Sequence, residues 1–312
     1  MTSLKQLRYF EAVARFNHFG RAAEHCSVSQ PALSMQIKEL EDVLGGVLFQ
    51  RSPRQVVLTK LGEDLAQRVR DILRSVDELS DFARVSRDRL AGRLRIGVIP
   101  TIAPYLLPRV IEALARKHPE LDIHVRETTT PKLIQELLEG RLDTAIVALP
   151  VSQPSLTEVA LFAENFLLVR PGADRDTPVP GIESLREMRL LLLEEGHCFR
   201  DQALAFCKMP SSPPREMLDA SSLSTLVQMV GAGIGVTLIP EMAVAVETRS
   251  APVSVARLEE PQPSRTIGMV WRKTSPLARQ LPQIAELVRV AAEALRDAQP
   301  GMIIEKTRPD IR

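Results

Sequence analysis

The chain has 312 residues, 45% of them hydrophobic and 25% charged, with a formal net charge of +1. That length allows two or three domains with cores of their own, and the near-neutral balance excludes a chain that recruits partners through bulk charge. Three cysteines are too few, and odd in number, for a disulfide scaffold, no apolar run reaches the roughly 18 residues of a membrane span, and "MTSLKQLRYFEAVARF" lacks a signal peptide's apolar core; the expectation is a soluble cytoplasmic protein with no membrane partner, in which a permanent structural disulfide would be unusual.

The first sixty residues read as helices followed by a wing. "LKQLRYFEAVARF" sets Leu4, Leu7, Phe10 and Val13 at helical spacing, "GRAAEHC" is a second short helix and "SVSQPALSMQIKELEDVL" a third. In the third, Ser29 is an N-cap and Pro31 sits in the first turn, where its missing N–H costs little. Leu33, Ile37, Leu40 and Leu44 form one apolar stripe, and Gln30, Ser34 and Lys38 fall on a different, polar face. A turn between the second and third helices makes this a helix-turn-helix with a hydrogen-bonding outer face. "LFQRSPRQVVLT" then predicts a hairpin wing carrying Arg51 and Arg54 within reach of phosphates. Residues 1–60 hold eight Lys/Arg against five Asp/Glu, so charge alone does not indicate DNA. The capped helix, its polar face and the basic wing together do, against the alternative of a generic three-helix packing unit.

"FGRAAEHCSVSQPALSMQIKELEDVLGGVLFQRSPRQVVLT" resembles the winged helix-turn-helix of the LysR-type transcriptional regulators almost residue for residue. The resemblance implies that Ser29, Gln30, Pro31 and Ser34 read the major groove of double-stranded operator DNA. Lys38 lies next along that face, and Arg51 and Arg54 sit on the wing. Cys26, at the end of the second helix on its apolar side, reads as a small core residue.

Thr59 can cap a long helix that runs to about Val85. Along it Leu65, Val69, Ile72, Val76, Leu79 and Ala83 recur at spacings of 4, 3, 4, 3 and 4, an a/d seam with charged flanks. The spacing predicts a dimerising coiled coil, against the alternative of a helix lying on its own domain; a dimer supplies the two-fold symmetry of inverted half-sites. The LysR resemblance implies the same.

"RDRLAGRL" is a polar break that reads as a hinge. Beyond it, strands such as "RLRIGVIP", "LDIHVRE" and "TAIVALP" alternate with helices such as "APYLLPRVIEALARKHPE" and "TPKLIQELLEGRLD", the latter with Thr130 as expected N-cap. This alternation predicts a parallel sheet with helices on both faces. Two α/β lobes joined by crossing strands resemble the periplasmic-binding-protein fold that LysR-type regulators use as an effector domain. The expected organisation is a winged helix-turn-helix over 1–58, a linker helix over 59–88 and an effector domain over 89–300. Within the last, lobe I covers 92–164 and 267–300 and lobe II covers 165–266; a tail of 301–312 follows. Thr101 and Thr130 follow the first two strands of lobe I and are expected to line the cleft.

Two thiols stand in "LLLLEEGHCFRDQALAFC". They are not CxxC, and the chain has no phosphate loop, metal-ligand spacing or Ser-His-Asp order, so no metal and no cofactor is expected. Cys198 lies between a strand and a helix, where the helix N-terminus and Arg200 would favour its thiolate and His197 and Asp201 could move protons. Such a thiolate attacks peroxide to give a sulfenic acid, which condenses with a second thiol in reach. A disulfide needs Cα atoms about 4.4–6.8 Å apart, whereas nine helical residues span about 13.5 Å. Bonding Cys198 to Cys207 therefore requires local refolding, and "KMPSSPPRE" follows at once as a loop able to absorb it. From spacing alone, two ordinary buried cysteines remain open.

"GHCFRDQ" with a second cysteine nine positions after the first, together with "IGVIPTIAPYLLP", "DASSLSTLVQMVGAGIGVTLIP" and "RTIGMVWR", is similar to the hydrogen-peroxide-sensing branch of the LysR family, the OxyR regulators. The resemblance covers nearly the whole chain. It implies that Cys198 is the peroxidatic thiol and Cys207 the resolving one. Thr101, Thr130, His197 and Asp201 assist hydrogen peroxide at the site, and Arg265 contributes from a facing strand. It also implies a homo-oligomer (a dimer through the linker helix and a tetramer beyond it), RNA polymerase as a partner, a cellular thiol reductant and no enzymatic turnover. The segment after Cys207 is richer in proline than the branch leads one to expect, and residues beyond about 300 match nothing in it. Two other readings stand beside this one: a LysR-type regulator of a small organic effector with incidental cysteines, and a cysteine-dependent peroxidase, which turnover would reveal.

Overall fold

In the computed structural model, which describes residues 1–51, 56–85, 90–207 and 219–298, the helical spacing of the N-terminal segment becomes α1 (Leu4–Phe16), α2 (Phe19–His25) and α3 (Gln30–Leu44). Their starts are capped by side chains. Ser3 Oγ accepts from the Gln6 N–H while the Gln6 side chain accepts from the Ser3 N–H, a reciprocal capping box. His18 Nδ1 accepts from the amides of Gly20 and Arg21, and Ser29 Oγ from that of Ala32. Leu33, Ile37 and Leu40 are fully buried against Phe10, Val13 and Leu48. Leu44, expected in the same stripe, is 40% exposed, because it is the last helical residue before the Gly45 cap.

The wing is the antiparallel pair β1 (Phe49–Arg51) and β2 (Val56–Leu58). Glu41 Oε1 accepts from the amides of Leu48 at 2.7 Å and Phe49 at 3.4 Å, so the last turn of α3 fixes the wing's entry. Thr59 Oγ1 accepts from the Gly62 N–H and starts α4 (Lys60–Val85). The expected seam of α4 divides. Val69 is fully buried and Leu65 half-buried; with Ala66 and Leu73 they pack on the N-terminal core, as a helix lying on its own domain would. Val76 is half-buried, whereas Ile72 and Leu79 are 46% and 68% exposed. The Ala83 side chain falls outside the described residues, as do residues 208–218 and 299–312.

Residues 88–312 form a second unit, separate from 1–87. Its elements are β3 (Gly92–Val98), α5 (Ala103–Lys117), β4 (Leu121–Glu127), α6 (Thr130–Leu138), β5 (Thr144–Leu149), β6 (Leu156–Pro171), α7 (Ile182–Glu187), β7 (Leu192–Leu193), α8 (Cys198–Phe206), β8 (Asp219–Ala220), α9 (Leu223–Gly231), β9 (Thr237–Pro240), α10 (Val244–Glu247), β10 (Val253–Ala256), β11 (Ser264–Arg272) and α11 (Leu281–Asp297). Among the described residues seven strands share one sheet, ordered β10-β6-β11-β5-β3-β4 with β9 also on β6. β4, β3 and β5 run parallel, as the alternation of those strands with helices predicts, while the sheet as a whole is mixed. The reason is the long pair β6 and β11, which run antiparallel to each other, with β11 also antiparallel to β5. The leucine run 190–193 is buried at every position but contributes only a two-residue strand, β7, paired with β8; Leu190 bridges Val236 and Leu191 is held by the Val236 carbonyl. No helix of the described residues is long and apolar enough to cross a membrane.

Gly62 sits in the first turn of α4 with no room for a side chain: a Cβ there would lie 2.3 Å from the Leu48 carbonyl oxygen. Gly→Ala in an open helix stabilises by about 1 kcal/mol. Here Gly62→Ala should instead destabilise by about 2 kcal/mol, read as an earlier urea midpoint; an unchanged or later midpoint would contradict the close approach of α4 to the wing.

Candidate functional site

The segment between β7 and α8 needs a glycine. Gly196 has φ of 92°, which L side chains rarely adopt, and this turn brings the chain against lobe I: a Cβ on Gly196 would lie 3.7 Å from Thr129 Cγ2. His197 follows as N-cap of α8 without a side-chain capping bond, and Cys198 is the first helical residue. Asp201 lies exposed in the first turn, where its charge suits the positive helix end. Cys198 is half-buried, Cys207 caps the other end of α8 and is fully buried, and neither is in a disulfide. The helix between them is unbroken, so the two ends stand about 13.5 Å apart. Burial lowers the pKa of His197 below its ordinary value, with Glu194 acting weakly in the opposite sense.

Behind this turn lies a buried guanidinium. Arg265 of β11 stands opposite Glu164 of β6 in register. Its Nε and Nη2 reach Glu164 Oε2 at 2.9 and 2.8 Å, and the other carboxylate oxygen accepts from the Met242 N–H at 3.0 Å. Burial pushes the Glu164 carboxyl up, against the pull of Arg265 and that amide. Arg265 Nη1 also donates to Thr101 Oγ1 at 2.8 Å and Nη2 to the Thr101 carbonyl at 3.2 Å. Its guanidinium lies 5.5 Å from the Phe199 ring and 5.9 Å from that of Phe166, and the two rings meet edge to face. Thr101, Arg265 and the residue after Cys198 are thus one contact chain across the crossing strands. Thr130 Oγ1 and Gln202 Oε1 are buried without a hydrogen-bond partner among the described residues.

Two expectations change. Thr130 is not the cap of α6: Thr129 holds the N-cap position and Thr130 is the first helical residue, since Pro131 is accommodated one step further in. Arg200 is buried, and its Nη1 donates to Asp219 Oδ1 at 2.6 Å and to the Leu193 carbonyl at 2.9 Å. Its charge is matched within lobe II, tying α8 to β7 and β8, and its partner is Asp219 where the sequence suggested Cys198. Sequence reading missed Glu164, Phe199 and Thr129. An isolated acid within the apolar run "LFAENFLLV" was the signal for the first.

In the N-terminal unit Ser29, Gln30, Pro31 and Lys38 are exposed at the start and along one face of α3, and Ser34 is half-buried there. Gln30 Oε1 comes within 3.7 Å of where a Gly20 Cβ would lie, so the first residue of α3 meets the start of α2. Arg54 and the Arg51 side chain fall outside the described residues. Cys26 is half-buried as the C-cap of α2, and burial raises its pKa, with Glu11 adding to the effect. Among the described residues no group of three His, Cys, Asp or Glu could hold a metal ion.

Two family models match. Residues 4–63 fit the bacterial regulatory helix-turn-helix protein of the lysR family, and residues 87–295 fit the LysR substrate binding domain. The chain is 43% identical over 300 residues to a probable hydrogen peroxide-inducible genes activator of Streptomyces viridosporus, covering 95% of each chain. It is 41% identical over 291 residues to the DNA-binding transcriptional dual regulator OxyR of Escherichia coli K12, covering 92% of this chain and 95% of that one. A solved hydrogen-peroxide-bound OxyR mutant of Corynebacterium glutamicum superimposes with a TM-score of 0.66 at 33% identity, covering 98% of each chain.

The burial of His197 has a pH signature. Its folded pKa lies below the ordinary 6.5, so between the two values the unfolded chain holds a proton that the folded chain refuses. The contribution to stability is present above pH 6.5 and is lost as pH falls through the folded value. The melting temperature should therefore drop less between about pH 6.5 and 5 in His197→Gln than in the unaltered protein; parallel pH profiles would show that the ring is not desolvated.

Proposed function

The chain belongs to the LysR family of DNA-binding transcriptional regulators, as a regulator of the hydrogen-peroxide-inducible OxyR type, and from that premise we propose that Cys198 and Cys207 are its switch. The observation that carries this is the unbroken helix α8 with one thiol at each end. Cys198, half-buried at the N-terminus, is the thiol that meets peroxide first. Its thiolate attacks one peroxide oxygen, the O–O bond breaks, the sulfur is oxidised by two electrons to sulfenic acid, and the departing hydroxide takes a proton to leave as water. His197, held largely neutral by burial, and Asp201 are placed to handle that proton. Thr101 and Arg265, with the Thr130 hydroxyl that has no partner among the described residues, supply hydrogen-bonding groups to a ligand that both donates and accepts. The Cys207 thiol then displaces water from the sulfenic acid and the disulfide forms. A cellular dithiol or two monothiols restore both cysteines and are themselves oxidised to a disulfide.

The geometry gives this chemistry a structural consequence. Closing about 13.5 Å to within disulfide range requires α8 to unwind. Unwinding removes Phe199 from Arg265 and pulls Arg200 from Asp219, so lobe I and β8 both register the event. The protein acts as a sensor with one oxidation per signal and not as a peroxidase. In this reading it is cytoplasmic, dimerises through the exposed Ile72 and Leu79 of α4, assembles further to a tetramer, and engages RNA polymerase at operators read by Ser29, Gln30, Pro31 and Ser34. Lys38, Arg51 and Arg54 contact phosphates.

Mass spectrometry under non-reducing conditions after peroxide should find Cys198 linked to Cys207. Cys198→Ser should lose the response altogether. Cys207→Ser should still form a sulfenic acid at Cys198, trappable by a sulfenate reagent, but no intramolecular disulfide and little change in proteolysis around α8. Peroxide leaving both thiols free in the unaltered protein would remove the switch and favour a small organic effector.

Assembly is tested separately. Ile72→Asp places a charge where the helix is exposed in the single chain but apolar in pattern. Sedimentation velocity should show dimers dissociating, with operator affinity falling and the helical circular dichroism retained; intact dimers would place the interface elsewhere.

A further inference from the structure

Met35 is out of place on α3. Methionine is among the residues most often buried, yet Met35 is 57% exposed, two positions from the fully buried Leu33 and Ile37 on either side. At about 100° per residue it stands roughly 170° round the helix from the centre of the stripe Leu33, Ile37 and Leu40. It shares this outermost line with Pro31 one turn before it and Lys38 one turn after it, both exposed. Ser34 and Gln30 lie on the flank of the same face.

The polar side chain that follows Met35 is already engaged. Gln36 Nε2 donates to Glu39 Oε2 at 2.8 Å, and Gln6 Nε2 of α1 donates to the same oxygen at 3.3 Å. Met35 is thus the long, flexible, apolar group on the outward face, beside the cation of Lys38. A groove with phosphate walls and bases at its floor suits that pair. A thioether donates no hydrogen bond and accepts only weakly, so it cannot report a base's pattern of donors and acceptors. It can report an apolar group, and the major groove presents one on a base edge, the C5-methyl of thymine.

We infer that Met35 is a specificity-determining residue for operator DNA, packing its thioether on the methyl group of one thymine in the major groove of each half-site. The inference rests on the docking proposed above, in which the start of α3 enters that groove. It adds an apolar contact to the polar ones of Gln30 and Ser34.

Replacing thymine by deoxyuridine removes the methyl and leaves the pairing intact. Sites are first selected by the full-length reduced protein from randomised duplexes. Each thymine of the selected site, with its symmetry mate, is then replaced by deoxyuridine, and affinity is read by fluorescence anisotropy at one fixed salt concentration. One thymine pair should weaken the unaltered protein by about fourfold per half-site when its methyl is lost, the factor that burial of one such group supplies. Met35→Ala should bind the thymine and deoxyuridine duplexes equally well at that position, with an unchanged salt slope, because no phosphate contact is lost. Met35→Leu should keep the preference. Alanine and leucine are good helix formers, so both variants should fold. If no thymine is sensed by the unaltered protein and ignored by Met35→Ala, the contact does not exist, even where site selection and the effect of Gln30→Ala are as expected. If Gln30→Ala also leaves every base preference unchanged, the docking itself falls, and the contact with it.

Discussion

The separation of two sulfurs by one stretch of α-helix is the constraint on which the proposed switch depends. A helix rises about 1.5 Å per residue, so α8, spanning Cys198–Phe206 with Cys207 as its cap, holds its ends well beyond the reach of a disulfide. The fold protects that separation. Phe199, Ala203 and Leu204 are buried on the face that packs into lobe II, and Cys207 has no exposed surface at all. The half-buried thiol sits at the N-terminus of α8 and the buried one at its C-terminal cap. In the proposed switch, the different surroundings of the two thiols, one half-buried and one fully buried, would set the attacking thiol apart from the resolving one.

Arg265 connects this helix to the rest of the effector unit. A buried ion pair recovers its desolvation only when most of its hydrogen-bonding capacity is used, and this pair comes close: both Glu164 oxygens accept, and the guanidinium reaches Thr101 twice besides Glu164. The pair sits in register on the two crossing strands, where lobe I and lobe II meet. A second bridge has the same form. Tyr105 of α5 donates to Glu247 at 2.6 Å, and Ser224 of α9 donates to the other oxygen of that carboxylate at 2.6 Å. Burial, with the carboxylate beside it, drives the Tyr105 hydroxyl pKa far upward, so it stays a donor. The lobes are thus held by directional contacts with few alternative geometries, and a change in α8 that reaches Arg265 shifts a junction that resists gradual deformation.

Much of this was legible before any coordinates. The N-terminal helices, their Ser29 cap and the buried stripe follow from local rules, because capping and period 3.6 are properties of neighbouring residues. The place of Cys198 between a strand and a helix start was legible from its own segment. What escaped depends on chain crossings that no local pattern encodes. Glu164 becomes meaningful only once β6 and β11 are known to be antiparallel partners. Arg200 was read as a neighbour of Cys198 because it is two residues away; its true partner, Asp219, is nineteen residues on and arrives through the β7–β8 pairing. The seam of α4 was read as one surface, yet its first half is buried in its own unit because the a/d pattern does not record which partner covers it. Thr130 was misplaced by one residue, within the ordinary uncertainty of a helix start.

The contacts of α8 also bear on reversibility. Unwinding would expose Phe199, whose burial contributes about 1.5–3 kcal/mol, and would draw the Arg200 guanidinium away from Asp219. Leaving that charge buried and unpaired would cost about 3–5 kcal/mol, so Arg200 must follow the chain into water as the helix opens. These losses fall on the oxidised form alone. For a two-electron couple each 1.4 kcal/mol of such cost raises the reduction potential by about 30 mV. A cross-link formed at the expense of several kcal/mol of native packing is therefore tens of millivolts more oxidising than one that fits its fold. Structural disulfides lie below about −300 mV, out of reach of cellular thiols. The packing that keeps Cys198 and Cys207 apart would thus also keep their bond reducible, and in the proposed switch a tightly packed reduced state is the condition for resetting it.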